Sequence, residues 1–133
     1  MTQEEKQLLL TDLCARLPYG VCVHIKYKIG GPCDGKFTSK DLQWLIDSKV
    51  ETIKPYLRSL STMTEEEKNI FQSLQKYFYG ERYIGNNEWE NTGKVYYDTV
   101  ESLDWLNKNH FDYRGLISMG LALEAPEGMY KNE

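Results

Sequence analysis

Apolar residues at the start of the chain recur every three or four positions. Leu9, Leu13 and Leu17 fall on one helical face, and a Thr-x-x-Glu capping box opens the segment at residue 2. Pro18 interrupts the pattern. The sequence therefore predicts a first helix over about residues 3–17.

After Gly20 the pattern changes to strict alternation, which is typical of a half-buried strand. Val21, Val23 and Ile25 share one side of this strand. The opposite side carries Cys22, His24, Lys26 and Lys28.

The next segments predict the rest of a small sheet. GGPCDG at 30–35 favours a turn or loop, because it combines glycines with a proline and an aspartate. KDLQWLID at 40–47 predicts a strand that includes Trp44, and VETIKPYLRSL at 50–60 predicts another. Pro55 confines the later part of that strand to a sheet edge or a strand end.

The second half begins with a capping box at Thr64 and Glu67, which predicts a helix over about 65–79 that ends at Gly80. The stretch 81–99 is interpreted as a loop, with VYY as an alternative short strand. Its NN and TG pairs mark turns.

Two short helices are predicted near the end of the chain. Thr99 caps the first, through WLNKNH, and Asp112 caps the second, through RGLISM. Gly120 is expected to end the second helix in the left-handed conformation, and LALEAP to continue as an extended segment.

Together these elements define an α+β fold in one domain spanning residues 1–133. A small antiparallel sheet, or an SH3-like partial barrel, is flanked by the N-terminal helix, the helix at 65–79 and a C-terminal helix pair at 102–120. The SH3-like alternative is a resemblance: a strand, a turn and two strands ending in PYLRSL are similar to small SH3-like barrels.

Charge is distributed unevenly along the chain. The net charge is −4, but residues 20–60 carry +3 and residues 61–133 carry −6. A local surplus of three is far below the footprint of a dedicated nucleic-acid-binding domain. An accessory nucleic-acid-binding role stays open as the first alternative, with the basic residues Lys26, Lys28, Lys36, Lys40, Lys54 and Arg58.

The chain carries no signal for a membrane or an export pathway. No apolar run reaches about 18 residues, and the acidic N-terminus lacks the basic region of a signal peptide. The chain has only three cysteines, a small and odd number that does not indicate a disulfide framework. We therefore expect a cytoplasmic protein with reduced thiols and no membrane contact.

Cys22, His24 and Cys33 are the candidates for metal or thiol chemistry. A zinc site needs four protein ligands, or three protein ligands and a water. The spacing of these three residues matches no zinc-binding pattern. A thiol enzyme centred on Cys22 and His24 is the second alternative, but neighbours on one strand face stand about 7 Å apart. We therefore expect no enzyme activity, no catalytic residues, no metal and no cofactor.

His110, Asp112 and Arg114 form a second cluster, which has a catalytic and a structural interpretation. The structural interpretation is favoured, because Asp112 is well placed as a helix cap. It places a partly protonated His110 at the end of a helix, where the dipole favours positive charge, and pairs Arg114 with a carboxylate.

An aromatic fraction of 13%, with ten tyrosines, supplies possible hot-spot residues for a partner surface. The leading hypothesis is a non-enzymatic interaction module with a protein partner. The candidate binding residues are His24, Lys26, Lys28, Trp44 and Arg58.

Three runs resemble an uncharacterised family of small proteins from gut Bacteroidales genomes, their phages and mobile elements. They are LLLTDLCARLPYGV (8–21), IKPYLRSLSTMTEEEK (53–68) and SLDWLNKNHFDYRGLISMGLALEAPEGMY (102–130). The resemblance implies a phage or mobile-element context. It implies no activity and gives no residue a catalytic role.

Overall fold

A computed structural model describes residues 1–130, which divide into two compact units. The first unit comprises residues 1–62 and 106–130, and the second comprises residues 63–105. Helices and two small sheets confirm the predicted α+β class, whereas the SH3-like detail is not confirmed. Whether the chain acts as one domain stays a prediction, and each unit is described by itself.

Ten helices and strands follow one another along the described residues, together with short 3-10 turns at Leu17–Tyr19 and Leu60–Thr62. Within residues 1–130 no helix is both long and apolar enough to cross a membrane. In chain order the elements are α1 Gln3–Arg16, β1 Cys22–Tyr27, β2 Pro32–Lys36, α2 Ser39–Ile46, β3 Val50–Leu57, α3 Glu65–Leu74, β4 Lys76–Gly85, β5 Glu88–Tyr97, α4 Val100–Lys108 and β6 Leu123–Glu124.

The first unit is built on a four-stranded sheet in the order β2-β1-β3-β6. The pairs β1–β2 and β1–β3 are antiparallel and β3–β6 is parallel, so the sheet is mostly antiparallel, as predicted. Pro55 pairs with Val23 of β1 and lies two residues before the end of β3, so its position agrees with the predicted strand end. One sheet face forms the core together with helix α1, through Leu9, Leu13, Val23, Ile25, Ile53 and Leu57.

The prediction of a strand at 40–47 is wrong, because this segment forms helix α2. Thr38 accepts a hydrogen bond from the Asp41 backbone N–H, and the Asp41 carboxylate accepts one from Thr38 N–H. This capping box closes the first turn of the helix. Trp44 and Ile46 share a strand face in sequence, but the capping box was the stronger signal.

The prediction of a loop at 30–35 is also wrong beyond the turn itself. Gly30 adopts a φ of 115°, but Pro32–Lys36 pairs with β1 as strand β2. Every residue of β2 is exposed and the strand lies at the sheet edge, where proline and glycine cost little. Because both faces of β2 are exposed, this strand needs no alternation of apolar and polar residues, and its sequence shows none.

The helix predicted at 65–79 begins at the expected capping box but ends at Leu74. Gln75 is already extended, with a ψ of 160°, and Lys76 starts strand β4. The next residues are aromatic and favour a strand, and their backbone groups pair with β5. The apolar spacing of Tyr77 and Phe78 suits a helix equally well.

The stretch predicted as a loop at 81–99 is mostly a β-hairpin in the second unit. Strands β4 and β5 pair antiparallel along their length, so the alternative strand at VYY is confirmed and extended. Asn86 and Asn87 form the predicted turn, with φ values of 53° and 60°. Two successive left-handed residues match the twist of a tight hairpin.

Of the two helices predicted near the C-terminus, the first is confirmed and the second is wrong. Thr99 Oγ1 accepts a hydrogen bond from Ser102 N–H, and α4 follows as predicted. The second helix is wrong, because Gly115 adopts a φ of 75° and the residues after Asp112 form turns. Gly120 is left-handed, with a φ of 76°, and LALEAP contains β6, as expected.

A buried ion network joins helix α1 to the C-terminal segment of the first unit. Asp12 and Arg16 are fully buried, and Asp12 accepts hydrogen bonds from Arg16 Nε at 3.0 Å and Arg114 Nη1 at 2.7 Å. Arg16 Nη2 also donates to the Phe111 carbonyl at 2.6 Å. Both carboxylate oxygens are thereby occupied, which compensates for removing the charges from water.

We predict that Asp12→Asn lowers the free energy of unfolding by about 3–5 kcal/mol, because it leaves the Arg16 charge buried without its counterion. Urea denaturation measures the change. Asp104→Asn, at an exposed position, is the matched control and should cost less than about 0.5 kcal/mol. Equal losses in the two variants would contradict the role of the network.

Candidate functional site

The open face of the first unit's sheet holds part of the predicted binding set. His24 Nδ1 lies 2.8 Å from Asp34 Oδ1, and Tyr56 donates its hydroxyl to the same oxygen at 2.9 Å. These two hydrogen bonds lower the pKa of Asp34. The His24 side chain is 40% exposed, so the cluster lies on an open surface and not in a cleft.

The other predicted binding residues are dispersed over the first unit. Lys26 pairs with Glu51 at 3.3 Å on the open face, close to His24. Trp44, on α2, packs edge-on against Tyr27 with ring centroids 5.0 Å apart. Arg58 lies with its guanidinium 4.1 Å from the centre of the Phe111 ring. The predicted residues are therefore not brought together as one site, and Lys28 belongs to a separate groove.

The cysteines do not converge on a reactive centre. All three are free thiols, with Cys14 and Cys33 exposed and Cys22 half-buried. The imidazole of His24 bonds to Asp34, and the backbone N–H of Cys22 donates to the Tyr130 hydroxyl at 2.8 Å. Among the described residues, no three His, Cys, Asp or Glu side chains are grouped closely enough to hold a metal ion.

Sequence reasoning missed the most unusual surface of the molecule, which is one side of the β4–β5 hairpin. The strand register places the paired residues Tyr77 and Tyr96, and Tyr83 and Trp89, on the same side. Exposure of these aromatic side chains runs from 37% at Tyr96 to 61% at Trp89. We call this surface the aromatic face, formed by Tyr77, Tyr79, Tyr83, Trp89 and Tyr96.

Ring contacts hold the aromatic face in order. Tyr77 packs against Tyr79 at 5.8 Å and against Tyr96 at 5.6 Å, and Tyr83 packs against Trp89 at 5.1 Å. Cross-strand aromatic pairs of this kind stabilise a two-stranded ribbon. The signal for this surface was the alternation of aromatic residues in the sequence before and after the NN turn. The helical interpretation of 75–79 concealed this signal.

A bulge and a glycine shape the hairpin below the aromatic face. The register shifts between Gly80 and Glu81, where β5 contains one extra residue. A Cβ at Gly80 would lie 2.5 Å from Thr92 Oγ1 and 3.0 Å from Val95 Cγ2. Any side chain at position 80 would therefore have to displace the side chains of Thr92 and Val95.

An open groove of about 590 Å³ lies in the first unit, between helix α1, the end of α2 and strand β3. Its walls are mainly aliphatic, and three lysines stand around it. We call it the lysine-rimmed groove; its walls include Leu9, Leu10, Leu45, Ile46, Val50 and Ile53, and its lysines are Lys6, Lys28 and Lys54.

The His110 cluster is structural, but not in the way predicted for His110 itself. The ring is 4% exposed and packs on Tyr130, with ring centres 4.0 Å apart. Burial, followed by the charge of Arg16, lowers the pKa of His110 to about 4. The expected positive charge on His110 is therefore wrong, because the ring is buried beside cations.

Its two neighbours behave as expected. Asp112 accepts hydrogen bonds from the backbone N–H groups of Leu116 and Ile117, at 2.8 and 2.9 Å. Arg114 pairs with the Asp12 carboxylate. Both assignments of the structural interpretation are confirmed, although the residues that follow Asp112 form turns in place of a helix.

No protein-family model, curated protein or solved structure matches this chain. The resemblance to small Bacteroidales proteins therefore stays a prediction. No residue acquires a role from a relative, and only the surfaces of the molecule itself bear on its function.

We predict that acid destabilises the protein through His110. Its pKa of about 4 in the folded state lies below the ordinary 6.5, so the unfolded chain takes up the proton first as the pH falls. The stability that the neutral ring contributes is therefore present above pH 6.5 and is lost between pH 6.5 and 4. Between pH 7 and 5 the loss amounts to about 2 kcal/mol.

Urea denaturation of His110→Asn at the two pH values tests this prediction. Asparagine tolerates the left-handed φ of 61° at this position and does not titrate, so the variant should lack the additional loss. His24→Asn, which removes the exposed histidine, should keep it. Parallel pH dependence of the wild type and His110→Asn would contradict the assignment.

Proposed function

We propose that this protein is a non-enzymatic interaction module that binds a basic protein partner through the aromatic face. One observation carries the proposal: five aromatic side chains, all at least 37% exposed, lie on one side of a two-stranded hairpin. We further propose that it acts in the cytoplasm, in a phage or mobile-element context.

Tyrosine and tryptophan support a protein partner because of their chemistry. Both offer a large, rigid apolar area together with a polar atom for hydrogen bonding, and both are enriched among binding hot spots. The ring contacts already fix several of these side chains in the free protein. Less side-chain entropy is therefore lost when a partner covers them.

Charge supports a basic partner over a second copy of this chain. Residues 63–105 contain nine Asp or Glu and four Lys or Arg, which gives the second unit a net charge of −5. Two such units would repel each other, whereas a basic surface would be attracted. The aromatic face already accepts a cation within the chain, since Lys94 Nζ lies 4.4 Å from the centre of the Tyr77 ring.

The alternatives from the first unit have weaker support. A nucleic-acid-binding role would use the basic residues at 24–58, but Asp34 and Glu51 stand beside His24 and Lys26 and reduce the positive potential there. A thiol enzyme would need His24 as a base for Cys22, and the imidazole bonds to Asp34 on an open surface.

We predict that Tyr79→Ser combined with Trp89→Ser weakens partner binding by at least roughly thirtyfold, the loss of about 2 kcal/mol typical of a hot spot. The immobilised wild type and variant would each capture protein from a Bacteroidales lysate, with and without phage infection and after nuclease treatment. Captured proteins would be identified and titrated as pure components. Binding should weaken with increasing salt, because the partner is basic.

Phe78→Ser with Tyr97→Ser is the matched control. This pair also consists of exposed aromatic rings packed across the strands, at 6.2 Å, but lies on the opposite side of the hairpin. It should retain binding, and circular dichroism should show both variants folded. The proposal fails if no captured protein depends on the aromatic face, if both double variants lose binding equally, or if nuclease removes the captured material.

A further inference from the structure

The lysine-rimmed groove combines two features that point to one class of ligand. Its walls are formed by leucine, isoleucine and valine side chains from α1, α2 and β3. Ile46 is 61% exposed at the end of α2, and Leu9 and Ile53 belong to the buried core. Aliphatic residues therefore line the groove both at the surface and in the core.

The volume and shape of the groove suit a small molecule. About 590 Å³ lies within the range of about 300–1,000 Å³ that is typical of small-molecule sites. The uncharged polar side chains in the walls, Ser48 and Thr52, are both small. A flexible, unbranched apolar chain matches these walls better than a polar or aromatic ligand does.

The charges around the groove select the sign of the ligand. Lys6, Lys28 and Lys54 come from three different parts of the chain and converge around the same opening. The one acidic lining residue, Glu51, pairs with Lys26 at 3.3 Å, so its charge is already balanced. The groove therefore presents a net positive rim above aliphatic walls.

We infer that the lysine-rimmed groove binds a long-chain aliphatic carboxylate, with the hydrocarbon chain against the leucine and isoleucine walls and the carboxylate among the lysines. Ammonium groups on separate flexible stems suit a singly charged head group that needs no fixed geometry. This site lies in the first unit, whereas the aromatic face belongs to the second.

Isothermal titration of the full chain with sodium dodecanoate, below its micelle concentration, tests the inference. Affinity should rise roughly fourfold for each methylene from octanoate to dodecanoate, as the chain covers more of the groove. Ile46→Ser, at an exposed position that the fold tolerates, should weaken dodecanoate binding about tenfold. Dodecyltrimethylammonium, with the same chain and opposite charge, should bind far more weakly.

The role of the lysines has its own matched pair of variants. Lys28→Gln with Lys54→Gln should weaken dodecanoate binding by about three- to tenfold, and high salt should reduce this difference. Lys76→Gln with Lys108→Gln changes the net charge equally at two residues that do not line the groove, and should bind as the wild type does. The inference is overturned by the absence of dodecanoate binding, by equal binding of the cationic amphiphile, by equal losses in the two lysine variants, or by tighter binding of dodecyl phosphate.

Discussion

The Asp12–Arg16 ion pair, buried inside the first unit, is the constraint on which the rest of that unit depends. Arg16 has no exposed surface, so its charge must be compensated entirely by protein groups. Two partners from distant sequence extend the network: Arg114 binds the Asp12 carboxylate, and the Phe111 carbonyl accepts from Arg16. The ion network, together with packing, thereby holds helix α1 against the C-terminal segment.

The two surfaces with functional potential differ in the way they are supported. The lysine-rimmed groove is formed where α1 and α2 leave part of β3 uncovered, so its walls are extensions of the core. The aromatic face is carried by a two-stranded hairpin, whose order comes from cross-strand ring contacts and the turn at Asn86 and Asn87. The cross-strand ring pairs give this two-stranded hairpin an ordered contact area without a hydrophobic core behind it.

Much of the fold could be predicted wherever local signals agreed. The capping boxes at Thr2 and Thr64 located two helix starts, and the alternation after Gly20 located β1. Some of the errors arose where a helical and a strand period fitted the same residues. Tyr77 and Phe78 suit a helix or a strand equally well, and the pairing with β5 decided between them.

The binding surfaces were harder to predict, because they depend on contacts between distant residues. His24 and Lys26 were correctly assigned to one sheet face, but their acidic partners come from neighbouring strands that alternation alone does not place. The groove requires α1, α2 and β3 together, although only Lys28 and Lys54 stood out in the sequence. The aromatic face was hidden by the helical interpretation of 75–79 and the loop interpretation of 81–99.

The discontinuity of the first unit has a consequence for the order of events during synthesis. Arg16 is separated from its acceptor, the Phe111 carbonyl, by 95 positions, and strand β6 emerges later still. The whole hairpin is therefore synthesised before the first unit can be completed. Until then the charge of Arg16 must remain hydrated. The nascent chain thus carries an unfinished sheet for several seconds, at elongation rates of about 5–20 residues per second.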